Sequence, residues 1–126
     1  MNKKAIHTKD APAAIGTYSQ AIKANGMVFI SGQIPLVPST MKIVKGDFET
    51  RARQVFKNLQ AISETAGGNL NDAVKITVFL TDLKNFSKVN SIMEEFFEMP
   101  FPARAAVGVS SLPKDVDIEA DAVLAI

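Results

Sequence analysis

The stretch FPARAAVGVSSLPKDVDIEADAVLAI, Phe101–Ile126, decides how the rest of the chain is read. In its second half Val116, Ile118, Ala120, Ala122 and Leu124 alternate with Asp117, Glu119, Asp121, Val123 and Ala125. A period of two is the mark of a strand buried on one face. The spacing therefore predicts a strand over 116–125, apolar side toward a core and acids on the opposite side. SSLPKD, residues 110–115, is turn chemistry, and a further strand over 104–109 precedes it. There Ala105, Val107 and Val109 suit the core, which sets Arg104, Ala106 and Gly108 on the acidic face. Pairing Val109 near Val116 would bring Arg104 close to Asp121 and diagonal to Glu119.

A guanidinium is protonated at any ordinary pH, and an unpaired one is costly to bury. Two readings of the constellation stay open on the residues alone. One is a cross-strand ion pair on a solvated sheet face, contributing little to stability. The other notes that Ala106 and Gly108 leave room beside a planar, two-pronged carboxylate receptor. With Glu119 able to move protons, the face becomes a small-anion site with its own acid/base.

Upstream, each element carries its own signal. Ala21–Ala24 and Met27–Ile30 flank Asn25-Gly26, a strong hairpin signal. A weak strand near Lys4–His7 comes before them. Residues 34–47, punctuated by Pro35 and Pro38, read as a loop. From Asp47 the period changes: Ala52, Val55, Phe56, Leu59, Ile62 and Ala66 follow helical spacing, predicting a helix over 48–66. Asp47 is its N-cap and Gly67-Gly68 its stop. Val74, Ile76, Val78 and Leu80 alternate with Lys75, Thr77 and Phe79 as a half-buried strand. Phe86, Val89, Met93, Phe96 and Phe97 then form the apolar stripe of a second helix, ending before Pro100. The order is β-β-β-α-β-α-β-β: a single α+β domain over 1–126, with a mostly antiparallel six-stranded sheet and two helices on one face.

Composition limits the chemistry. The 126 residues hold 14 Lys plus Arg against 13 Asp plus Glu, a net charge of +1, so no basic footprint for nucleic acid stands out. There is no cysteine and one histidine, His7. That excludes disulfides, thiolate nucleophiles and metal sites built on Cys or on paired imidazoles. No Gly-rich phosphate loop occurs; AGGNLND, residues 66–72, lacks the spacing. No apolar run reaches spanning length, and MNKKAIHTKD lacks the apolar core of a secretory signal, so a cytoplasmic location without membrane contact is expected.

The segments APAAIGTYSQAI, VFISGQIP, VKITVFLTDLKNFSKVN and FPARAAVGVSSLPKDVDIEADAVLAI together resemble the reactive intermediate deaminase family of RidA type, also called the YjgF family. They run over nearly the whole chain in the family's order. The resemblance implies a chorismate-mutase-like fold, assembled as a homotrimer with sites in clefts between subunits. It implies hydrolysis of the enamine/imine intermediates 2-iminobutanoate and 2-iminopropanoate, released by pyridoxal-phosphate enzymes, to 2-oxo acids and ammonia, with no cofactor and no metal. The family's binding arginine matches Arg104 and its water-positioning glutamate matches Glu119. Its site tyrosine matches Tyr18, its backbone contact Gly32 beside Ser31, and its helix asparagine Asn90.

Each of these has a plainer reading beside it. Tyr18 could be a partly buried core tyrosine, Ser31 and Gly32 ordinary turn residues, and Asn90 an amide that ties the second helix. Three positions depart from the family pattern. Ala106 stands where many members carry cysteine, Thr17 where proline precedes the tyrosine, and Asp121 where a second glutamate is frequent. The alternative from another class is a non-enzymatic trimer that binds small carboxylates, a regulatory or chaperone-like protein. Translation-inhibiting ribonuclease activity, also described for relatives, fits a near-neutral chain less well.

Overall fold

The computed structural model describes residues 2–126. β1 (Lys4–Ile6) pairs antiparallel with β2 (Ala21–Ala24). Asn25 and Gly26 both take positive φ, 52° and 74°, the geometry of a two-residue turn whose twist matches its flanking strands. β3 (Met27–Gln33) leaves that turn and runs three residues further than the periodicity alone indicates. The loop expected over 34–47 contains a small antiparallel hairpin, β4 (Leu36–Val37) with β5 (Lys42–Ile43).

α1 (Phe48–Thr65) begins as its sequence predicts. The Asp47 carboxylate accepts the Thr50 amide at 3.0 Å and the Thr50 hydroxyl at 2.8 Å, and these bonds hold its pKa below the usual carboxylate value. At the other end Gly67 takes φ 99°. Its amide donates to Glu64 O and that of Gly68 to Ser63 O, both at 3.1 Å, the paired bonds of a glycine-terminated helix. β6 (Ala73–Leu80), α2 (Phe86–Phe96), β7 (Ala103–Gly108) and β8 (Ile118–Ala125) complete the chain.

Six strands form one mixed sheet in the order β1-β2-β3-β8-β6-β7. Among the described residues only the β6–β7 pairing is parallel. Both helices pack on one face, where Phe56, Leu59, Ile62 and Ile92 meet Val28, Ile76, Leu80, Ile118 and Leu124. Phe56 anchors the contact between the helices, with ring centroids 5.7 Å from Phe96 and 6.0 Å, edge-on, from Phe97. The opposite face is open and carries Phe29 and Val107, 50% and 40% exposed. No described helix is long and apolar enough to cross a membrane.

Two expectations are corrected. β7 does not pair with β8: β8 lies between β3 and β6, and β7 is an edge strand beside β6. The reason is topological. A strand that returns through a helix adds to its sheet in parallel, and β6–α2–β7 is such a unit. Its register sets Arg104 opposite Ile76, Ala106 opposite Val78 and Gly108 opposite Leu80. Arg104, Ala106 and Gly108 therefore share the helix face, while Ala105 and Val107 lie on the open, acidic one. The second correction is at Val74, 45% exposed rather than in the core. The ladder shifts between Ala73 and Lys75, so Ala73 takes the buried place instead.

A Cβ on Gly67 would meet only the Lys23 Nζ, at an ordinary 4.0 Å, so its backbone conformation is what resists substitution. Gly67→Ala is expected to destabilise the protein by about 1 kcal/mol, read as a lower urea midpoint. An unchanged midpoint would contradict the cap assignment.

Candidate functional site

The residues singled out in the sequence gather in two clefts. The first lies at the β7 edge, about 390 Å³, lined by Asn90, Met93, Glu94, Phe101, Pro102 and Arg104. Register with Ile76 turns Arg104 toward α2. There its Nη1 donates to Asn90 Oδ1 and, at 3.5 Å, to Met93 Sδ. The guanidinium carbon stands 4.6 Å from the Phe86 ring centroid, a cation–π contact. Phe86 and Asn90 are four residues apart and so occupy one helix face. Between them they fix the plane of the guanidinium and leave donors on Nε and Nη2 without an acceptor among the described residues.

Among the described residues no carboxylate lies within ion-pair reach of Arg104; the ion pairs there are Arg51–Asp117, Arg53–Glu95 and Lys88–Glu49. The cross-strand pair with Asp121 is thus excluded. Ala106, half-buried, follows Arg104 on the same face.

The second cleft, about 660 Å³, is lined by Tyr18, Ser31, Gly32, Lys114 and Glu119 among others. A bulge makes it. Between Ile30↔Ala122 and Gln33↔Ala120, β3 advances three residues to two on β8. Ser31 and Gly32 occupy the irregularity, inside a strand rather than in a turn. A Cβ on Gly32 would overlap the Glu119 carboxyl, so the missing side chain is the space in which that carboxyl sits. The Ser31 hydroxyl donates to Ser19 O. Tyr18 is not a core residue: it is 52% exposed, and its hydroxyl accepts the Ile15 amide at 3.2 Å.

Burial, and then the negative charge of Asp121, raise the Glu119 pKa above the ordinary 4.5. Burial likewise raises that of Asp121, opposed by hydrogen bonding with Thr77, its cross-strand neighbour. A carboxyl with increased proton affinity beside a cleft is suited to taking and giving protons.

The two groups do not meet. Asn90 and Arg104 come together, and so do Tyr18, Ser31, Gly32 and Glu119, but the sheet divides the two sets. Arg104 stands opposite Ile76 and Glu119 opposite Phe79, on opposite faces with β6 between. Two strand spacings and three residues of rise separate them by about 14 Å. Sequence reasoning missed Phe86 as the platform under Arg104, since its stripe reads simply as core. It also missed Gly32 as the seat of Glu119, for which only the bulge supplies the reason.

The raised Glu119 pKa has a sign that can be tested. The ionised carboxylate is the disfavoured form in the folded state, so wild type loses stability as pH rises from below 4.5 through the raised value. Glu119→Gln is expected to be more stable than wild type to urea at pH 7, with the difference closing at pH 4. A difference that persisted at low pH would assign the effect to packing.

A family model described as Endoribonuclease L-PSP matches residues 8–126. A RutC family protein of Pyrococcus horikoshii is 53% identical over 121 residues, 96% of each chain. A 2-iminobutanoate/2-iminopropanoate deaminase of Dermatophagoides farinae is 40% identical over 124 residues, 98% of this chain and 97% of that one. Among solved structures, RidA from an Antarctic Psychrobacter superposes with a TM-score of 0.94 at 49% identity, covering 98% of this chain and 99% of its own. Escherichia coli TdcF with bound serine superposes at 0.91 and 40% identity, covering 98% of both chains. The protein belongs to the endoribonuclease L-PSP family, the family of the RidA, YjgF and RutC proteins.

Proposed function

We propose that the protein hydrolyses small 2-imino acids, 2-iminopropanoate and 2-iminobutanoate, to 2-oxo acids and ammonia, at sites completed between copies of the chain. One observation carries this reading: Arg104, with two guanidinium donors free to grip a carboxylate, and Glu119, the carboxyl of raised proton affinity, occupy separate clefts. A three- or four-carbon acid is far too short to bridge Arg104 and Glu119 within one chain. Joining the Arg104 edge of one copy to the Glu119 cleft of the next brings both to one substrate. Such a heterologous contact closes into a ring, and a ring of three would cover the open face with its half-exposed Phe29 and Val107. The deaminase relative and the serine-bound structure support the chemistry and the carboxylate-sized ligand.

In this site Arg104, held by Asn90 and Phe86, offers two parallel donors to the substrate carboxylate and fixes the imine carbon. Glu119, ionised, takes a proton from a water whose oxygen attacks that carbon, and the C=N electron pair moves to nitrogen. The protonated Glu119 returns the proton to that nitrogen. Collapse of the adduct forms C=O and breaks C–N while Glu119 passes the hydroxyl proton on to the departing nitrogen, which leaves as ammonia with Glu119 again ionised. Imino acid plus water becomes 2-oxo acid plus ammonia. A raised pKa suits a group that must both accept and donate.

A carboxylate-binding regulatory protein would need the Arg104 half alone and would be indifferent to Glu119. The nuclease of the family description finds less support, because His7 is exposed at the end of β1 and lines neither cleft.

The test adds purified protein to a dehydratase turning over serine or threonine and follows 2-oxo acid release. Arg104→Ala is expected to lose both 2-oxobutanoate binding, by calorimetry, and hydrolysis. Glu119→Gln is expected to keep binding while turnover falls by about a hundredfold. Full turnover in either variant would remove it from the site. Sedimentation of the wild type at micromolar concentration should report a trimer; a stable monomer would sink the shared site.

A further inference from the structure

Residues 8–18 connect β1 to β2 without regular structure, and they carry Pro12, Ala13, Ile15 and Tyr18 to the Glu119 cleft. Among the described residues their main chain makes no hydrogen bond to another main-chain group. Ala11 and Pro12 are nonetheless buried, where backbone polar groups need partners. One side chain supplies them for both carbonyls. Gln20, 2% exposed, accepts the Thr8 amide through Oε1 at 2.7 Å. Its Nε2 faces the carbonyls of Pro12 at 2.8 Å, Thr8 at 3.0 Å and Ala11 at 3.2 Å. Two N–H groups reach three acceptors only by sharing a proton. Gln20 is also tied to the bulge, since its carbonyl accepts the Ser31 amide at 2.9 Å.

We propose that Gln20 is the positioning residue of the Glu119 cleft. Its amide clamps residues 8–12 and so holds the Pro12–Ala13 wall and Tyr18 at a set distance from Glu119 and Gly32. The other buried amides work around the same cleft. Gln33 Nε2 donates to Ser31 O at 3.1 Å, and Asn58 Nδ2 donates to Leu36 O at 3.0 Å. Of the four buried polar side chains among the described residues, only Ser63 lies elsewhere, bonded within α1. Buried amides bonded to the backbone segments that line one cleft favour geometry over packing.

The inference rests on the 2-oxo acid site proposed above, so its test has a readout that does not need the ligand. Tyr18 is the only tyrosine and the chain has no tryptophan; tyrosine emission therefore reports on this segment alone. Gln20→Met keeps the length and removes all the side-chain bonds, whereas Gln20→Glu keeps the acceptor for Thr8 and removes the donors. Both variants are expected to retain the far-UV circular dichroism of the wild type. Acrylamide should quench Tyr18 more strongly in both, and 2-oxobutanoate affinity should fall roughly tenfold, the loss set by unpaired buried carbonyls. Folded variants with wild-type quenching and affinity would overturn the proposal. So would failure of both to fold, which would make Gln20 a group of the core. If the wild type itself bound no 2-oxobutanoate, the site reading would fall, and the quenching comparison alone would decide the clamp.

Discussion

Side chains of opposite parity on neighbouring strands point to opposite sides of a pleated sheet, and no rotamer carries them across. This constraint governs the two ionisable groups of greatest interest in the protein. The helical crossover makes β7 parallel to β6 and sets Arg104 in line with Ile76, on the helix side. Antiparallel β8 sets Glu119 in line with Phe79, on the open side. The separation is therefore built into topology rather than into loop conformation. It explains why each cleft looks chemically incomplete, one with spare guanidinium donors and the other with a carboxyl of raised proton affinity.

Within each half the supporting residues are of different kinds. Arg104 is held from one side by an aromatic face and an amide on a single helix, so the position of its guanidinium follows that of α2. Glu119 depends on an absence: Gly32 supplies the volume for its carboxyl, and the bulge in β3 brings that volume to it. Nearby Asp121 adds like charge without sharing a bond. The cleft's walls are irregular backbone, and buried amides carry the hydrogen bonds that a ladder would otherwise provide.

Much of this was legible in the residues because it has local causes. Asn25-Gly26, Asp47, Gly67 and the two apolar stripes each state their structure in short range, and the structure agrees at each. The face of β7 was not legible. Arg-Ala-Ala-Val-Gly has too little contrast between alternate positions to declare a buried side, so only the non-local pairing with β6 decides it. The same holds for Val74, displaced by a ladder shift, and for the two-residue strands hidden between Pro35 and Gly46. Resemblance named a set of site residues, but nothing in a linear pattern divides that set between two faces.

In the proposed assembly a working site takes Arg104 from one copy and Glu119 from another. Equal amounts of Arg104→Ala and Glu119→Gln proteins, unfolded and refolded together, test it directly. Random assembly around a ring gives about one site in four an intact Arg104 edge facing an intact Glu119 cleft. The mixture is predicted to recover roughly a quarter of wild-type imine hydrolysis, although each variant refolded alone remains nearly inactive. A mixture no more active than the average of its two components would contradict the account.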